Sequence, residues 1–106
     1  MAMHDDGMLS QWLEVGVKRT ASGGTFTFIV GAERIGEALA AVPSSGVSIY
    51  PLWPRAGEAA KRLIVQLRKG ARTPPRLLSG LVLHEEDGRY TNEADAILRG
   101  EGALSL

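Results

Sequence analysis

The sequence predicts an α/β protein built as half of a sheet, in the order helix, strand, helix, strand, strand, followed by a short C-terminal strand and helix. Three observations predict it. Apolar residues recur at three-and-four spacing in two stretches, a β-rich run between them reads as a strand covered on both faces, and two alternating runs follow across a proline-containing connection.

Met8, Leu9, Trp12, Leu13 and Val17 share one face of a 3.6-residue repeat, which predicts a helix over about residues 7–19 with Asp5 or Asp6 near its start. Ala21, Ser22, Gly23 and Gly24 break that pattern. Residues 25–30 are threonine, phenylalanine, isoleucine and valine with apolar side chains on both parities at the end, the profile of a parallel strand buried on both faces. Ile35, Leu39 and Val42 form the stripe of a second helix over residues 32–42, ended by Pro43, Ser44, Ser45 and Gly46. A short strand over residues 47–50 is expected to stop at Pro51, because Pro51, Pro54 and Gly57 oppose a regular ladder.

Residues 60–67 supply the next strand, with Leu63, Val65 and Leu67 on one face and Ile64 on the other; the loop before it permits a hairpin. Small, basic and proline residues over 70–75 favour an extended surface segment, where the sheet is expected to end. Leu81 to His84 form a brief apolar run, residues 85–88 can turn, and Thr91 can cap a short helix that buries Ala94, Ile97 and Leu98 and stops at Gly100. The expected organisation is one partial domain over residues 1–106, with the sheet and helices in 7–72 and a C-terminal extension in 73–106.

The strand over 25–30 has no parallel neighbour on its other side within this order. A buried strand at an edge exposes backbone groups and apolar faces, so the chain is expected to form a homo-oligomer or to depend on a missing N-terminal half. Twelve lysines and arginines balance twelve aspartates and glutamates, so no global field drives the chain onto nucleic acid or membrane. The absence of cysteine excludes disulfides and cysteine-ligated zinc and fits a reducing, cytoplasmic setting. No apolar run approaches the roughly 20 residues of a membrane span, and the acidic start is unlike a signal peptide.

A set of segments then carries a family resemblance in order along nearly the whole chain. They are Trp12-Leu13, the Ser22-Gly23-Gly24 turn into residues 25–29, residues 32–35, Tyr50 to Arg55 with its two prolines, residues 60–65, Arg68-Lys69-Gly70, and Leu81 to His84 with Asp87-Gly88 and Tyr90-Thr91. Together they resemble the C-terminal part of small-domain class I S-adenosylmethionine-dependent methyltransferases, similar to the tRNA(Val) adenine-N6 methyltransferases. The resemblance implies a Rossmann-like sheet whose last three strands are parallel, parallel and antiparallel, the antiparallel one inserted between the other two. Residues 60–67 are the candidate for that inserted strand.

Family members bind the methionine part of the cofactor with a Gly-rich turn, fix the ribose with an acidic residue and hold the target amine with an Asn-Pro-Pro-Tyr-type motif. This chain has none of the three. Gly23 and Gly24 enter a strand, whereas cofactor binding needs a strand-to-helix turn. Met1 is therefore expected to begin downstream of the catalytic motif. No catalytic or cofactor-binding residue is assigned, S-adenosylmethionine is a cofactor of the intact parent alone, and the isolated chain is expected to be inactive.

Other constellations are weak. His4, Asp5 and Asp6 suit a solvated terminus or a helix cap better than a metal site, and His84 with Glu85, Glu86 and Asp87 suits a polar hairpin. Ser44, Ser45 and Ser79 lack a paired base. The basic residues Lys61, Arg62, Arg68, Lys69 and Arg72, with Arg76 beyond and Arg55 before them, form a local cluster that can contact phosphates of RNA, tRNA included. The alternative is ordinary strand-end and loop charge that keeps an edge soluble. Trp53, between Leu52 and Pro54, can stack on a base but better suits a packed lid.

Overall fold

A computed structural model describes residues 8–100 of the protein. Helix α1 spans Met8–Arg19, strand β1 spans Thr25–Gly31, and a 3₁₀ turn at Ala32–Arg34 leads into helix α2, Ile35–Ala40. Strands β2 (Val47–Arg55), β3 (Arg62–Arg68), β4 (Arg76–Leu77) and β5 (Leu81–His84) follow, and helix α3 (Asn92–Leu98) closes the described chain. The caps proposed at Asp5 and Asp6 and the candidate ligands His4, Asp5 and Asp6 lie outside the described residues.

The sheet runs in the order β1-β3-β2-β4, with β5 also pairing β2. β3 is antiparallel to both of its neighbours, so β1 and β2 run parallel with an antiparallel strand between them. This is the inserted-strand arrangement expected for residues 60–67. β4 and β5 are both parallel to β2, so among the described residues four strands point one way and β3 opposes them.

Alternation along β3 divides the core as the sequence predicts. Leu63, Val65 and Leu67 face α1 and α2, where they pack with Leu9, Leu13, Val30, Ala38, Val47 and Ile49. Ile64 turns to the other face and packs with Tyr50, Leu81 and Ala94 under α3. Gly16 lets α1 approach β1 closely: a Cβ there would fall 2.3 Å from the Phe26 ring, which itself packs on Phe28. Thr91 caps α3 by accepting a hydrogen bond from the Ala94 amide at 3.1 Å, as its position suggests.

Four expectations need correction. β2 does not stop at Pro51 but continues to Arg55. Pro51 is tolerated because β4 pairs with Ser48 and Ile49 while β5 begins its pairing at Leu52, so the proline falls in the gap between two neighbours. Nor does the sheet end near residue 70, since β4 and β5 both extend it. The second helix is split, its first turn tightening to 3₁₀ before α2 begins at Ile35.

The fourth correction concerns burial. β1 is covered on one face only: Phe26, Phe28 and Val30 pack inward, whereas Thr25, Thr27 and Ile29 are exposed, Ile29 by 63%. Among the described residues β1 pairs with β3 alone, so no strand flanks its other edge. Trp12 lies beside Ile29 along that edge and is exposed, as is Met8, leaving Leu9 and Leu13 as the buried part of the α1 stripe. Leu98 is also exposed rather than buried, because among the described residues the sheet has no strand beyond β5 for the last turn of α3 to cover.

Burial and then the nearby Glu93 carboxylate push the Tyr50 hydroxyl above its ordinary pKa of 10.0. The folded state thus resists ionising this phenol, and the unfolded chain gives up the proton first. Its contribution to stability is full below about pH 10 and falls as pH rises through the folded value. Unfolding measured from pH 9 upward is expected to show this alkaline loss in the native chain and a smaller one in Tyr50→Phe; equal losses would remove Tyr50 from the account.

Candidate nucleic-acid interface

Open α/β sheets bind ligands beyond the carboxyl ends of their parallel strands, where loops converge and the backbone no longer pairs with itself. Here that end holds Gly31 of β1, Arg55 of β2 and His84 of β5. Because β3 runs the opposite way, its beginning lies there too: Arg62 pairs with Gly31 and with Leu52. The Lys61 carbonyl accepts a 2.8 Å hydrogen bond from the Ala32 amide, which fixes the base of the loop against the end of β1.

The six basic candidates therefore separate. Arg55, Lys61 and Arg62 stand at the carboxyl end of the parallel strands, whereas Arg68, Lys69 and Arg72 stand at the other. Arg68 pairs with Thr25 at the start of β1. Seven residues of extended chain put about 20 Å between the two groups. Nearness in sequence along a single strand produced an apparent cluster that the strand itself pulls apart.

Lys69 has structural partners as well. Its Nζ donates to the Val17 carbonyl at 2.8 Å and to the Lys18 carbonyl at 3.4 Å, satisfying carbonyls at the end of α1. Arg68 and Arg72 are exposed, and the Arg68 amide and carbonyl are taken up by Gly46 and Ala71. At the carboxyl end, Lys61 and Arg62 are exposed and Arg55 is half-buried. Strand parity places Arg55 on the α1 side of the sheet and Arg62 on the other, so the three cations border the rim from both faces.

Three depressions adjoin this rim. One, of about 470 Å³, runs along the open edge of β1 between Trp12 and Ile29 and ends at Glu33, Arg34 and Arg62. Arg34 is held by a two-point ion pair with Glu37, its Nε and Nη2 donating at 3.1 and 3.0 Å. A second, of about 450 Å³, lies beyond β5 beside Glu85, Arg89, Tyr90, Asn92 and Asp95. A third, of about 410 Å³, is lined by Trp53, Ala56, Gly57, Glu58 and Val82, and the Trp53 Nε1 donates to the Ser79 carbonyl at 2.9 Å, tying β2 to the linker before β5.

The hairpin after β5 contains the aromatic residue that sequence reasoning passed over. Tyr90 forms a bridge with His84 and its ring stacks on the imidazole, centroids 4.8 Å apart and planes 25° from parallel. The spacing of His84 and Tyr90 across a Gly88 turn was the available signal, since a hairpin sets such residues opposite one another. Among the described residues no group of three or more histidine, cysteine, aspartate or glutamate side chains is placed to hold a metal ion. No helix of the described residues is long and apolar enough to cross a membrane.

No family model and no curated protein matches the chain. Among solved structures it is similar to the crystal structure of a predicted O-methyltransferase from Agrobacterium tumefaciens, with a TM-score of 0.83 and 28% sequence identity over 94% of this chain. The match covers 50% of that protein, so the chain spans about half the length of its structural neighbour. The mixed sheet with helices on its faces is a methyltransferase-like α/β fold.

Proposed function

We propose that the chain is the C-terminal part of an S-adenosylmethionine-dependent methyltransferase whose whole protein methylates the N6 amine of adenine in tRNA or another RNA, and that it is inactive alone. The observation that carries the reading is β3, an antiparallel strand between parallel β1 and β2, in a chain that matches half of a methyltransferase-like structure. The similar protein is described as acting on oxygen; the choice of an amine in RNA rests on the resemblance of the sequence segments. The cofactor and the acceptor motif belong to the other half of the sheet. That half, or a second copy of this chain, covers the open edge of β1, whose seven residues include no charge and no proline.

A second reading has the chain act as a non-catalytic RNA-binding or self-associating module, and the unflanked edge of β1 is the feature that favours it. Wherever either reading has the chain bind RNA, the RNA lies at the carboxyl end of the parallel strands. The triple variant Arg55→Ala, Lys61→Ala, Arg62→Ala is expected to weaken RNA binding and to flatten its salt dependence by up to about three counterions. Arg68→Ala with Arg72→Ala, at the far end, is expected to change binding little. Equal losses from the two sets in salt titrations of affinity would contradict this placement.

A further inference from the structure

We infer that Tyr90 is a stacking platform for a single nucleobase bearing an exocyclic amine, a contact that rests on the RNA reading and gives it a place on the surface. The ring is half exposed, at 51%, and its inner face is occupied by His84. A stacked pair of this kind leaves one broad aromatic face to solvent and holds it at a fixed tilt.

The backbone keeps it there. The Glu85 amide donates to the Arg89 carbonyl at 2.6 Å and the Thr91 amide donates to the Leu83 carbonyl at 2.9 Å, on either side of the His84–Tyr90 bridge. The Thr91 hydroxyl donates to the Val82 carbonyl at 2.5 Å. A ring clamped at both flanks loses little freedom when a base stacks on it, and base–aromatic stacking does not require a particular base.

Selectivity comes from the depression beside the ring. Glu85 and Asp95 bring carboxylates that only accept hydrogen bonds, Asn92 brings an amide that both donates and accepts, and Arg89 lines the same depression with its Nε turned to Asp87. Asp95 is ion-paired with Arg99, and Arg89 with Asp87. Carboxylates in this position favour the amine of adenine, cytosine or guanine and disfavour the carbonyl edge of uracil. They also repel phosphate, which directs the backbone of the strand toward Arg55, the cross-strand partner of His84. The Arg55 guanidinium reaches the hairpin, since a Cβ added at Gly88 would lie 4.0 Å from its Nη2.

The test is fluorescence anisotropy of the full chain with labelled octamers of adenosine and of uridine across a salt series. Native protein is expected to bind the adenosine octamer more tightly. Tyr90→Ala is expected to lose roughly tenfold in affinity without changing the salt slope, and Tyr90→Phe to keep the native affinity. Glu85→Ala, which leaves the platform in place, is expected to erase the preference for adenosine over uridine. Salt-dependent RNA binding that Tyr90→Ala leaves untouched, or native binding that is equal for the two octamers, would overturn this inference while the RNA reading stands. No binding to either octamer would overturn both.

Discussion

Leu67→Ala is expected to remove about 2–5 kcal/mol of stability, the range for deleting most of a leucine from a packed core. Leu67 is fully buried in β3, paired with Phe26 of β1 on one side and Val47 of β2 on the other. Its side chain lies where the inserted strand joins its two parallel neighbours beneath α1 and α2. The surrounding strands are tied together by backbone hydrogen bonds and cannot collapse into the space, so the cavity cost adds to the lost burial. Domains of this size are stable by only roughly 5–15 kcal/mol. The urea midpoint should therefore fall sharply with an unchanged slope, and a midpoint within experimental error of the native one would contradict the packing described.

Gly80→Ala should be comparably harmful through the backbone rather than the core. Gly80 has a φ of +83°, and a Cβ there would stand 2.2 Å from the Pro51 carbonyl oxygen. The left-handed conformation alone costs about 1–2 kcal/mol for a residue with a side chain. The clash is the larger problem, because the blocking atom is backbone in β2 and moving it disturbs the pairing of Leu52 with Leu81. Gly80 is the point where the chain passes from β4 to β5 beside the same strand. Thermal unfolding of Gly80→Ala is expected to shift down by about 10 °C or more, and amide exchange should show the loss concentrated in β5. A native melting temperature would mean that the close approach at Pro51 is wrong.

These two sites differ in how far the sequence revealed them. Leu67 was legible because strict alternation along residues 60–67 separates Leu63, Val65 and Leu67 from Ile64, and a period of two needs no tertiary information. Gly80 was not. Its role depends on β4 and β5 sharing β2, a long-range pairing that two residues at Arg76–Leu77 and four at Leu81–His84 do not announce. The same pairing explains why Pro51 failed as a stop signal, since a proline ends a strand only where its amide is needed.

The site was legible in composition and not in place. Arg55, Lys61, Arg62, Arg68, Lys69 and Arg72 were all visible as a basic cluster, but linear proximity cannot show that one strand carries them to opposite ends of a sheet. Strand direction supplies that information, and direction follows from β3 being antiparallel. Tyr90 belongs to a segment that carries the family resemblance, yet the sequence assigns it no role, because its exposure and its stack on His84 come from the hairpin that Gly88 closes.

Isothermal titration calorimetry of the 106-residue chain with S-adenosylmethionine tests most directly the claim that this is the half of a methyltransferase sheet without the cofactor machinery. The account predicts no binding heat at cofactor concentrations up to the millimolar range. A saturable site of micromolar affinity would contradict it, because no Gly-rich strand-to-helix turn or ribose-binding acid in these residues provides one.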